Sequence, residues 1–146
     1  MVNARIDSTK DFDGHTVVLA CFDLSEIEAR AAAHVVAAVR AERYRNAEMS
    51  ADDVLEMREL TGLADELGDL ATRGGAGSLV LRPARLTALR HATESFVSSR
   101  DEAEWIREDD REPLVTGRAM LWPLADLCEE ALRAALAAGD TAPAEG

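Results

Sequence analysis

Aromatic side chains make up only 4% of this chain: three Phe, two Trp and one Tyr. A core short of large rings must be filled by Leu, Val and Ala, and small core residues let helices approach closely. Positive charge is also scarce, with 16 basic against 28 acidic residues and a net charge of −12. That balance argues against nonspecific binding to nucleic acid or to an anionic membrane, and favours solubility or a basic partner. Lys10 is the single lysine; every other basic residue is Arg, which with the abundant Ala fits a high-GC bacterial genome.

Long apolar runs are missing as well. No stretch approaches the roughly 18 residues that a membrane span requires, and residues 1–14 lack an apolar signal core, so a cytoplasmic location is expected. Cys21 and Cys128 are far apart and form no Cys-x-x-Cys, so both read as small core hydrophobes.

Several catalytic designs need patterns that do not occur. There is no Glu-x-x-His for a carboxylate-bridged metal pair, no His-Glu-x-x-His for zinc and no Gly-x-Ser-x-Gly nucleophile elbow. The run Gly74-Gly75-Ala76-Gly77 lacks the Gly-Lys-Ser/Thr of a phosphate loop and precedes a strand, so it reads as a connector. Asp11-Phe12-Asp13-Gly14 reads as a turn; with Gly14 as sixth position, a calcium loop would need its bidentate Glu where Ala20 stands. No metal or cofactor is expected.

What is present is helical pattern, densest from Met49 to Gly74. Ser50 and Asp53 form a near capping box, and Met49 and Val54 sit where a hydrophobic staple would fix the incoming chain. Met57, Leu60, Leu63, Ala64, Leu67, Leu70 and Ala71 follow at three- and four-residue steps, and Arg73-Gly74 is the expected stop. A second capping box, Ser25 with Glu28, opens a helix to about Asn46, with an inward stripe of Ile27, Ala31, Val35, Ala38 and Val39. Pro83 starts a third helix lined by Leu86, Leu89, Thr93, Phe96 and Val97 and ending near Arg100. The last begins near Pro113 or Leu114, kinks or restarts at Pro123, and ends at Gly139.

Two β-branched, apolar runs read as strands: Thr16 to Leu24, covered on both faces, and Ser78 to Arg82. The expected fold is mainly α (α+β), a four-helix core with two short strands in the order β-α-α-β-α-α. Residues 1–14 read as a flexible segment, 15–139 as one helical domain and 140–146 as a disordered tail. At 146 residues a single domain can hide about 70% of the surface that its unfolded chain exposes, so no staple is needed.

Candidate functional residues are few. Glu42 projects onto the inward side of the first helix with His34 at its edge, and His91 lies on the third; together they are candidates for a ligand pocket between helices. Arg82, Arg85, Arg90 and Arg100 with His91 make one locally basic segment, expected to pair internally with carboxylates of the second helix. Asp101 to Glu112 holds seven carboxylates and two arginines, interrupted by Trp105 and Ile106, which tuck onto the core or anchor a partner.

Three functional readings follow. The first is a non-enzymatic protein-interaction or self-assembly module, by default a homodimer, with Trp105, Ile106, Arg85 and Arg90 at its interface. The second is an acidic inhibitor or adaptor for a basic groove on another protein. The third is a small-ligand binding protein or enzyme using His34, Glu42 and His91.

Overall fold

Both serine caps close as reciprocal pairs. In the computed structural model, which describes residues 1–45 and 48–141, Ser25 Oγ accepts from the Glu28 amide at 3.1 Å while Glu28 Oε1 accepts from the Ser25 amide at 3.0 Å. Ser50 and Asp53 repeat the exchange at 3.2 and 2.9 Å. Each pair satisfies two amides that a helix start leaves without partners. The helices they open are α1, Glu26–Tyr44, and α2, Ala51–Thr72.

The full order is β1 (Val2–Lys10), β2 (Thr16–Leu24), α1, α2, β3 (Gly77–Leu81), α3 (Pro83–Asp101) and α4 (Glu108–Thr141). The fold is mainly helical with a small sheet, as the sequence predicts, but the sheet has three antiparallel strands ordered β1-β2-β3 instead of two. The added strand lies in the polar segment where no element was expected. It carries no apolar alternation because it is an edge strand, with only Ile6 resting against the core. Backbone pairing with β2, from Ile6 opposite Ala20 to Lys10 opposite Thr16, holds it instead. The predicted turn joins the two strands: Asp11 Oδ1 accepts from the amides of Asp13 and His15 at 3.0 and 2.9 Å, and Gly14 takes φ +80°.

Central strand β2 sends Val18, Ala20, Phe22 and Leu24 into the core, where Leu79 and Leu81 of β3 join them. The expectation that both faces of β2 are covered does not hold. Both strand-to-helix joints send their helices to one side, leaving Val17, Leu19 and Asp23 half-buried on the other; only Cys21 is fully shielded there.

Helices α1 and α3 pack on each other, and each contacts both α2 and α4. Ala29, Ala31 and Ala32 make this central position of α1 sterically cheap. Ile27, expected on its inward stripe, is instead half exposed. Alanine surrounds so much of this helix that apolar spacing alone does not select a face. On α3 and α2 the expected leucines, Phe96, Thr93 and Val97 are all buried.

The last helix departs most from expectation. It starts at Glu108, before Pro113, passes Pro123 without restarting and runs beyond Gly139. Glu108, Asp109 and Asp110 favour an early start, since carboxylates in a first turn meet the positive end of the helix dipole. An interior proline costs about 3 kcal/mol, whereas each fully buried Leu or Met contributes about 1.5–3 kcal/mol. Leu114, Met120, Leu124 and Leu127, buried on both sides of Pro123, therefore hold the helix together. Its buried face narrows beyond Ala131, where Leu132 and Leu136 are exposed. The expected end of the first helix at Asn46 and most of the expected disordered tail, 142–146, lie outside the described residues. Among the described residues no helix is long and apolar enough to cross a membrane.

Candidate functional site

The last turn of α3 and the first turn of α4 place Arg100 and Asp110 side by side, against the middle and C-terminal turns of α1. Arg100 Nε donates to Asp110 Oδ2 at 3.2 Å and its Nη1 donates to Glu42 Oε1 at 2.7 Å. The other Asp110 oxygen accepts from His34 Nε2 at 2.7 Å. Beneath them Phe96 presents its ring face to Arg100, 4.2 Å from the guanidinium carbon, and meets His34 edge to face at 5.8 Å. Four charged or polar side chains from three helices thus form one network, with His34 and Arg100 resting on an aromatic floor.

Asp110 is only 6% exposed. Burial pushes its carboxyl upward, but the bonds from His34 and Arg100 outweigh that and hold it below the ordinary carboxylate range. For Arg100, burial works against the charge while Glu42 and Asp110 restore it, leaving the guanidinium above its usual value. An ionised Asp110 can only accept, so His34 Nε2 carries the proton. In the neutral ring Nδ1 is then the free acceptor, and among the described residues no protein group bonds it.

This network lines a cleft of about 330 Å³ with Ala37, Ala38 and Ala41 along one wall and Arg45, Arg107 and Asp109 around the mouth. Arg45 and Arg107 are exposed, and among the described residues neither has a carboxylate within ion-pair distance. Such pairing is common elsewhere in the chain: Arg30 with Glu112, Arg85 with Glu59, Arg118 with Asp101.

Of the three candidates for a ligand pocket, His34 and Glu42 share this cleft and His91 does not. His91 sits half exposed on α3, its Nδ1 3.8 Å from Glu56. The residues considered for an interface also separate. Arg85 turns to α2, 3.3 Å from Glu59 and 3.5 Å from Glu66, while Arg90 bonds Glu94 of its own helix at 2.8 Å. Ile106 packs against the core; Trp105 beside it is 73% exposed. Arg43 lies 2.8 Å from Glu56, an ion pair without hydrogen-bond alignment.

Sequence reasoning did not single out Asp110, which stood in a block of seven carboxylates. A signal was there: an Arg in the last turn of one helix and an Asp in the first turn of the next meet when the connector between them is short. Asp11, Asp13 and His15 also bring ligand-type atoms within 4.8 Å of one another, all exposed, but Asp11 is already engaged in closing its turn.

No family model, curated protein or solved structure matches the chain.

Proposed function

We propose that this protein binds a small anionic molecule in the cleft between α1, α3 and α4. The observation that carries the reading is a histidine oriented by a buried carboxylate beside two arginines that have no carboxylate partner among the described residues. Arg45 and Arg107 would take a carboxylate or phosphate group, for which guanidinium forks are well shaped. The His34 Nδ1 lone pair would accept from a hydroxyl or N–H on the same ligand, and the three alanines would cover a short apolar body. A volume near 330 Å³ is at the small end of the roughly 300–1,000 Å³ typical of such sites.

Titration with inorganic phosphate and with small hydroxy acids, followed by amide NMR, tests this. Shifts are expected at Ala37, Ala38, Ala41 and Arg107, and their loss in Arg107→Ala. Shifts scattered over the surface, or unchanged by that substitution, would remove the proposal.

The acidic-adaptor reading has less support, because three of the seven carboxylates from Asp101 to Glu112 are engaged with other elements: Asp101 with Arg118, Asp110 with His34 and Arg100, Glu112 with Arg30. A cytoplasmic setting goes with our reading, since both cysteines are free and buried, and free thiols persist in reducing compartments.

A further inference from the structure

The outward face of α4 carries an apolar centre that none of the described residues covers. Val115, Ala119 and Trp122 recur at steps of four and three, all exposed, with Trp122 at 79%. Buried Leu114, Gly117, Met120 and Leu124 occupy the opposite side. One turn before Trp122 stands Arg118 and one turn after it stands Asp126, both on the exposed face.

That arrangement is self-complementary. If two copies of α4 cross antiparallel with their Trp122 residues opposed, residue 118 of each faces residue 126 of the other, and residue 119 faces residue 125. Two Arg–Asp pairs then flank the tryptophans, and Ala119 meets Ala125, allowing close approach. Asp126 has no ion-pair partner within its own chain among the described residues. Arg118 contacts Asp101, but half of its side chain is exposed and it has donors to spare. Farther out, Arg111 would face Arg133 about 16 Å from the centre. Each of these arginines pairs with a carboxylate of its own helix, Arg111 with Glu108 and Arg133 with Glu129, and a steep crossing near 50°, in which helix ends diverge, leaves only the central turns in contact.

We infer that a second copy of this chain docks on α4, forming a twofold-symmetric dimer centred on Trp122. Isologous twofold contacts are the commonest way for identical chains to associate, and tryptophan is the residue type most enriched among their energetic centres. The contact is independent of the anion cleft and stands or falls without it.

Sedimentation equilibrium on the full chain at physiological salt is the test. A reversible monomer–dimer equilibrium is expected at micromolar concentrations, and Trp122→Glu should weaken it at least about tenfold. Arg118→Asp and Asp126→Arg should each weaken it, and the double exchange should recover a substantial part of the loss. Circular dichroism of each variant verifies that the helices remain. A monomer at every concentration, a dimer indifferent to Trp122→Glu, or a double exchange no better than the worse single one would overturn the inference.

Discussion

Asp110 shows how much can rest on one side chain. Its carboxylate meets a histidine from α1 and an arginine from α3, so three helices are tied through two oxygens. Removing one partner of a buried pair leaves the other without its compensation, which costs about 3 kcal/mol or more. Asp110→Ala should therefore lower the unfolding free energy by about 3 kcal/mol, read from urea denaturation. The pH dependence has a definite sign. Asp110 is held below its unfolded value, so its contribution is complete above about pH 4 and fades as the pH falls through the lower folded value. An acid-unfolding curve for Asp110→Asn should lack that portion of the loss. His34 and Glu42 were legible in the sequence because they are polar side chains set among the Ala and Val of α1. Asp110 was not, since an expected helix start near Pro113 left it in the connector with six other carboxylates, although α4 in fact begins at Glu108.

Elements follow their own rules, and two glycines near the end of α2 separate them. Gly68 lies inside the helix, where an added Cβ meets nothing within 4 Å. Replacing it with Ala should stabilise the protein by up to about 1 kcal/mol, the difference in helix propensity. Gly75 lies just beyond the helix at φ +88°, and its amide donates to Leu70 O at 3.0 Å to close the helix end. A Cβ there would stand 2.9 Å from Glu26 Cγ, so Gly75→Ala should destabilise by about 1–2 kcal/mol. The two variants should move the melting temperature in opposite directions; a shift of the same sign in both would refute the assignment of the helix end. Capped, periodic helices such as α2 were legible because cap and stripe agree. Edge strand β1 was not, being held by backbone pairing that leaves no side-chain pattern. Nor was the course of α4, where distant burial overrides two local prolines.

At the scale of the whole molecule, a net charge of −12 sets short-range attraction against long-range repulsion. The named ion pairs are mostly 2.7–3.5 Å long, far shorter than any relevant screening length. Repulsion among the surplus carboxylates acts across the surface, and it is cut strongly when the screening length falls from about 30 Å at 0.01 M salt to about 8 Å at 0.15 M. Salt should therefore stabilise this fold, raising the urea midpoint over that range. Lowering the pH through the isoelectric point near 4.6 removes surplus charge, but carboxylates held below their ordinary range, Asp110, Glu28 and Asp53 among them, lose their contribution as they protonate. Stability should thus peak between neutrality and about pH 4. Screening would also favour a dimer of two acidic chains, so the measurement belongs in the Trp122→Glu variant, where only the single chain's charge is at work. If its midpoint falls with salt, the ion pairs outweigh the surplus charge and this account of the molecule's electrostatics is wrong.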